Sequence, residues 1–174
     1  MDGDDYNNTL ESGEFSEVDI TLSYGFNLNP VDITLGYIEY LFPTTEKGGA
    51  EGTRELFVSL GIAMIPNLSG GLDIFYDVDE VEDFYLNLSL AYNMSLNDKI
   101  GLHLGAAMGY AGDEYCADGD SGLYDYLLSC GLGYTVSDDL TVNASLYYTQ
   151  AFDEDKLPDQ DTDFFGGVGM TYAF

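Results

Sequence analysis

Hydrophobic residues recur at every second position in nine stretches of the chain, with small or polar residues between them. In residues 84–94, for example, Leu86 and Leu88 alternate with Asn87 and Ser89. A period of two is typical of a β-strand whose two faces meet different surroundings. The pattern predicts strands at residues 15–28, 31–42, 54–65, 72–78, 84–94, 99–111, 123–136, 140–151 and 164–174.

The lengths of these strands and of their connections indicate the kind of β-protein. All except the short 72–78 strand reach the 9 to 11 residues, roughly, that a tilted strand needs to cross a bilayer. Tight turns rich in Asn, Asp, Gly and Pro are predicted at 27–30, 66–71, 95–98 and 137–139. The other connections, mostly longer, are predicted at 43–53, 79–83, 112–122 and 152–163. Short turns on one side and long loops on the other are the outer-membrane arrangement.

We therefore predict an all-β fold, an antiparallel up-and-down transmembrane β-barrel with nine visible strands. The whole chain, 1–174, is expected to form one domain. Residues 1–14 would be an acidic outer loop segment, and residues 15–174 would carry the strands.

The second face of each strand separates a membrane barrel from a soluble one. A solvated strand face is usually rich in Lys, Glu and Arg. Here that face carries mainly Gly, Ser, Thr, Asn and Ala, and the whole chain has only 4 Lys and Arg residues. The apolar face is thus predicted to contact lipid and the small polar face to line a lumen. A soluble β-barrel that binds an apolar ligand stays the alternative.

Composition excludes several other classes of protein. The 32 Asp and Glu residues outnumber the 4 Lys and Arg residues, which gives a net charge of −28. A nucleic-acid partner is excluded, because it would require a basic surface. A hydrophobic fraction of 45% is too high for a disordered chain. Since the sequence contains no apolar run of about 18 residues, no transmembrane helix is expected.

The two ends of the chain point to the bacterial outer membrane and to an incomplete barrel. The last strand ends at Phe174, which resembles the sorting signal that the barrel-insertion machinery reads. The start is acidic, unlike a signal peptide, so a mature or truncated form is expected. A ninth strand that ends on the short-turn, periplasmic side requires the first to begin outside. Barrels usually have an even number of strands, which predicts an odd number missing before Met1, or an irregular piece before Phe15. Closure of the nine strands by themselves is the third alternative and would be unusual.

Several segments also resemble a known family. They are residues 17–24, 36–43, 55–61, 76–80 and 85–88, together with the last strand. These segments, which span nearly the whole chain, are similar to the TorF-like family of outer-membrane porins. In that family about three further strands precede the matching part, which implies a barrel of about twelve strands. The resemblance implies a fold and a location, and it brings no established substrate or catalytic residue.

Six polar residues are candidates for lining a pore, because they fall in the register of the predicted lumen face. They are Asp19, Asp32, Asp73, Asn87, His103 and Asn143. The carboxylates would favour cations, and Asp32 and Asp73 are expected close to periplasmic turns. The function predicted is a narrow pore for small solutes with a cation preference. Alternatively the carboxylates only hydrogen-bond neighbours in a plugged interior, in a non-conducting structural or adhesive barrel.

Acidic residues also cluster in the long connections. The candidates for a Ca²⁺-type metal site are Asp77, Asp79, Glu80, Asp153 and Asp155. Ca²⁺ binds several carboxylate oxygens, and such ions could bridge the protein to lipopolysaccharide. No EF-hand spacing is present, so the favoured interpretation is a solvated, self-repelling loop surface without a cofactor.

We expect no enzymatic activity. The single histidine, His103, has no candidate nucleophile near it in sequence, and no nucleophile elbow or phosphate-binding loop is present. A packed, hydrogen-bonded His103 is expected instead.

Outer-membrane lipid is the expected surrounding of the barrel. Unpaired strand edges, if present, predict oligomers or edge pairing.

Overall fold

Nine antiparallel strands form one sheet in the computed structural model, which describes residues 15, 17–43, 52–158 and 163–174. The strands are β1 (Val18–Leu28), β2 (Val31–Leu41), β3 (Thr53–Ile65), β4 (Leu68–Asp77), β5 (Phe84–Ser95), β6 (Ile100–Ala111), β7 (Gly122–Ser137), β8 (Leu140–Ala151) and β9 (Phe164–Tyr172). Their order in the sheet is their order along the chain. The predicted all-β, antiparallel up-and-down fold is therefore confirmed. The predicted loop segment 1–14 lies outside the described residues.

The connections alternate in length as the sequence predicts. Short turns at 29–30, 66–67, 96–99 and 138–139 make up one end of the sheet, the short-turn end. The described residues of the other connections, 42–43, 52, 78–83, 112–121, 152–158 and 163, lie at the opposite end, the long-loop end. Within the described residues, no helix has the length and apolar character needed to cross a membrane.

Strand β4 differs from the prediction. It begins at Leu68 and has 10 residues, so the expected turn at 66–71 shrinks to Pro66 and Asn67. Asn67 adopts a positive φ of 70°, which a tight turn requires and which Asn tolerates. Gly70 and Gly71 belong to the strand rather than the turn, because they pair with Ile62 and Gly61 of β3. A Cβ at Gly71 would lie 2.7 Å from the Ser89 hydroxyl oxygen. The glycines permit close packing here.

The apolar face of the sheet is exposed and the small polar face is more covered. Leu88 and Leu90 on β5 are 52% and 48% exposed, whereas Ser89 between them is half-buried. Leu132 on β7 is exposed, and the neighbouring Gly131 is buried. Since the small residues are the shielded ones, the sheet curls towards its polar face. We call this concave side the inner face and the apolar side the outer face.

Apart from glycines, the buried residues among those described lie at the long-loop end. Ala111 and Cys116 are the buried apolar residues among those described, and Asp77 and Asp83 are the buried polar ones. No apolar core runs through the described part of the sheet. Within that part, β1 pairs only with β2 and β9 only with β8, so pairing that would close the barrel stays a prediction.

Candidate functional site

All six predicted pore-lining residues lie on the inner face. Strand pairing sets Asp73 directly opposite Asn87, and Asn87 opposite Gly109. It also sets His103 opposite Asn93 on β5. Because directly opposed residues of an antiparallel pair point to the same side, these registers place the named residues on one face of the sheet.

Asp73 and Asn87 form the middle of this face. Asp73 is the sixth residue of β4. The prediction that it lies close to a short turn is wrong, because β4 begins earlier than predicted. Asn87 Oδ1 is buried and accepts no hydrogen bond from the described residues. The two side chains supply acceptor oxygens at the centre of the inner face.

His103 lies nearer the short-turn end, next to glycines of the inner face. Its Nδ1 is 2.6 Å from Asn93 Oδ1. A Cβ at Gly133 would lie 3.0 Å from Asn143 Oδ1 and 3.7 Å from His103 Nε2, so the structure brings His103 and Asn143 together. His103 is hydrogen-bonded as expected, but it is exposed on the inner face rather than packed.

The two remaining candidates lie at opposite ends of the first hairpin. Asp19 pairs with Tyr40 near the long-loop end. Asp32 follows the first short turn and accepts a hydrogen bond from Asn27 Nδ2 at 2.7 Å. Together with Asp73, these carboxylates occupy three heights along the strands rather than a ring at one height.

A bulge adds a further acidic residue to the inner face. The register of β6 and β7 shifts between Met108 and Tyr110. Such a shift lets two successive residues oppose one partner and re-aims their side chains. The Tyr124 ring meets the Tyr85 ring edge-on, at 6.2 Å between centroids. The Tyr85 hydroxyl donates to Asp125 Oδ1 at 2.7 Å. Asp125 is therefore the further acidic residue on the inner face.

Asp77 organises the connection from β4 to β5. It is only 1% exposed, and its Oδ1 accepts hydrogen bonds from the backbone N–H groups of Asp79, Glu80 and Val81 at 2.9, 3.0 and 3.2 Å. Its Oδ2 accepts one from the Thr53 hydroxyl at 2.6 Å. The expectation of a solvated loop surface is therefore wrong for Asp77, because buried backbone donors hold its carboxylate.

The connection from β6 to β7, residues 112–121, folds inwards across the long-loop end. The Tyr115 hydroxyl donates to Glu55 Oε1 on β3 at 3.2 Å, and Tyr40 donates to the other oxygen of Glu55 at 2.7 Å. Three strand spacings separate β3 from β6, or roughly 14 Å. The Glu114 N–H donates to Asp83 Oδ2 at 2.9 Å. Burial raises the pKa of Tyr115 and of the neighbouring Cys116 thiol.

Lys156 ties this loop to the next one. Its Nζ donates to Asp118 Oδ2 at 2.8 Å and to the Asp120 carbonyl oxygen at 2.6 Å. The hydrogen bond from Lys156 lowers the pKa of Asp118, and the same bond raises the pKa of Lys156. The Ala117 N–H in turn donates to the Lys156 carbonyl oxygen at 2.9 Å.

The candidate metal ligands do not converge. Asp79 pairs with Arg54 Nη1 at 3.3 Å, and Glu80 contributes its N–H to Asp77. Asp153 Oδ1 accepts from the Asp155 N–H at 3.0 Å. Across the described part of the chain, no three His, Cys, Asp or Glu side chains are arranged to hold a metal ion. The Ca²⁺ site stays a prediction.

Several residues that shape the long-loop end are not among those predicted from the sequence. Glu55, Asp125 and Tyr115 are joined to partners 15 to 60 positions away, and no local pattern reveals such contacts. One signal was available for Lys156, which is an isolated base in a strongly acidic stretch. In such surroundings a lone base has several possible partners.

Comparisons with known proteins bear on the fold. No known protein-family profile matches the chain, and no curated protein sequence does. Seven chains of solved structures match. Among them is the NanC porin in its rhombohedral crystal form, with a TM-score of 0.60 and 13% identity over 91% of this chain and 79% of that one. The TorF-like resemblance is not confirmed. This structural likeness shows that the chain shares the β-sheet fold of that structure.

Proposed function

We propose that this chain forms a narrow outer-membrane pore for small solutes and that the pore prefers cations. The observation that carries the proposal is the charge on the inner face. Asp19, Asp73 and Asp32 lie there at three heights. Within the described residues no Lys or Arg shares this face: Arg54 is on the outer face, Lys99 is in a short turn and Lys156 is in a long loop. An uncompensated acidic lining attracts cations.

Lipid is the surrounding that fits the outer face. Its exposed leucines continue from strand to strand, as the 42% exposure of Leu104 and the 48% of Leu128 illustrate. In water such an apolar surface would promote association, whereas the hydrocarbon of a bilayer solvates it. This favours a membrane barrel over a soluble barrel that binds an apolar ligand.

The remaining parts of the proposal follow from the same orientation. The short-turn end would face the periplasm and the long-loop end the outside, with lipopolysaccharide as the neighbour of the acidic loops. The insertion machinery would recognise Phe174. Edges β1 and β9 would pair with further strands, towards about twelve in all, or with another copy. Catalysis is not part of the proposed function.

A non-conducting structural or adhesive barrel is the second candidate. The inward fold of residues 112–121 favours it, because this loop covers part of the long-loop end. Conductance separates the two candidates. A refolded chain in planar bilayers should give discrete conductance steps if it is a pore, and none if the barrel is closed.

Replacement of Asp73 tests the cation preference. In a salt gradient, Asp73→Asn should reduce the cation-to-anion permeability ratio about fivefold, since one nearby charge is worth on the order of 1 kcal/mol after screening. The reversal potential measures this ratio. Asp138→Asn, in the exposed turn at residues 138–139, removes the same charge and should leave the ratio nearly unchanged. Equal effects of the two variants, or anion selectivity of the unmodified chain, would contradict the proposed lining.

A further inference from the structure

A single ammonium group, that of Lys156, joins two loops of the long-loop end, residues 112–121 and 152–158. We propose that residues 112–121 are a movable lid over this end of the barrel and that Lys156 is the latch that holds the lid closed. The inference rests on the proposed pore, because a lid matters only above a passage. It adds a means of regulation to that pore.

The latch is a built contact rather than a loose surface pair. Two oxygens of the lid, Asp118 Oδ2 and the Asp120 carbonyl oxygen, accept hydrogen bonds from Lys156 Nζ. The Lys156 side chain is only 14% exposed. Its stem lies across Gly122, where a Cβ would come within 2.7 Å of Lys156 Cε. The absence of a side chain at Gly122 therefore makes room for the latch.

The charges around the lid explain why one lysine has a large influence. The lid itself carries Asp113, Glu114, Asp118 and Asp120. The carboxylates of Glu55 and Asp83 lie against it, each within hydrogen-bond distance of a lid donor. Like charges in partly buried surroundings repel one another, and Lys156 is the base that offsets this repulsion among the described lid contacts. Without it, the closed position loses two hydrogen bonds and keeps the repulsion.

Cys116, a residue of the lid itself, provides a direct measure of lid opening, because it is buried in the closed position at 5% exposure. The chain contains two cysteines, so Cys130→Ser leaves Cys116 as the sole thiol. In the refolded full chain, we expect Lys156→Gln to speed the reaction of Cys116 with a water-soluble charged maleimide at least about tenfold, or about 1.4 kcal/mol of opening free energy. Lys156 itself lowers the pKa of this thiol. Its loss alone would slow labelling, so faster labelling reports exposure.

Two further variants make the result specific. Asp118→Asn removes the carboxylate on the lid side and should also speed labelling. Because Asp118 raises the pKa of Cys116, its loss promotes labelling through the charge as well, and the conclusion therefore rests on Lys156→Gln. Lys99→Gln makes the same chemical change in a short turn, at the other end of the sheet, and should leave the rate unchanged. The circular dichroism spectrum of each variant establishes that the sheet is intact. Equal labelling rates in Lys156→Gln and Lys99→Gln would overturn the latch.

Labelling does not require ion flow, so its outcome is independent of the proposed function. Whether the lid controls ion flow is tested separately in planar bilayers. There the Lys156→Gln variant should spend more time in the conducting state than the Lys99→Gln variant. Faster labelling with unchanged conductance would overturn the regulatory role of the lid. An unmodified chain and a Lys156→Gln variant that both fail to conduct would contradict the pore itself, whatever the labelling shows.

Discussion

An arginine placed on the outer face near the middle of β8 should strongly destabilise the membrane-inserted protein, whereas an arginine on the inner face should not. Leu146 and Ser145 are adjacent residues of β8 that point to opposite faces, and Leu146 is 55% exposed. Lipid-facing Arg near the bilayer midplane costs about 2–4 kcal/mol. We expect Leu146→Arg to lower the free energy of unfolding in lipid vesicles by about this amount.

Ser145→Arg is the matched control, because it adds the same side chain at the same depth. Ser145 lies opposite Gly131 and Gly167, and nothing lies within 4 Å of the position of a Cβ at Gly167. The inner face therefore has room for the new side chain, and we expect a loss below about 1 kcal/mol. Denaturant titration in vesicles measures both values. A larger loss for Ser145→Arg than for Leu146→Arg would reverse the assignment of the two faces.

The second large effect is expected at the buried carboxylate of Asp77. Asp77→Ala removes four hydrogen bonds, three from the backbone of residues 79–81 and one from Thr53. Hydrogen bonds to a charged group contribute about 1.5–3 kcal/mol each, but they act together here and the loop can relax. We therefore expect a loss of about 2–4 kcal/mol in the free energy of unfolding.

Asp79→Ala is the control for Asp77→Ala in the same loop. Asp79 is 37% exposed, and its ion pair with Arg54 at 3.3 Å lies on the surface. Exposed ion pairs contribute about 0–1 kcal/mol, so its loss should be small. Amide hydrogen exchange should speed up across residues 78–83 in Asp77→Ala alone. Similar losses in the two variants would show that Asp77 does not organise the loop.

The alternation of apolar and polar residues predicts the strands well because their two faces meet different surroundings. Eight of the nine predicted strands match closely, and the six pore candidates all fall on the predicted face. β4 is the exception, because Ser69, Gly70 and Gly71 have the composition of a turn although they pair with β3 and β5. Composition alone does not separate a glycine that turns the chain from one that makes room for a neighbour.

The architecture of the long-loop end could not be predicted in the same way. Acidic loops resemble one another in sequence whether they are solvated or packed. Only the folded chain brings Tyr115 to Glu55, 60 positions away, or Lys156 to Asp118, 38 positions away. Such contacts depend on strand order and loop path, which have no local signature in the sequence.

The central claim is that the apolar outer face contacts lipid while the polar face encloses a lumen. The most direct measurement is purification of the chain with and without detergent, followed by gel electrophoresis of unheated and boiled samples. We expect the chain to stay soluble only with detergent and its band to shift on boiling, because a folded membrane barrel then unfolds. A water-soluble monomer whose band does not shift would contradict it, and the apolar face would then be the core of a soluble protein.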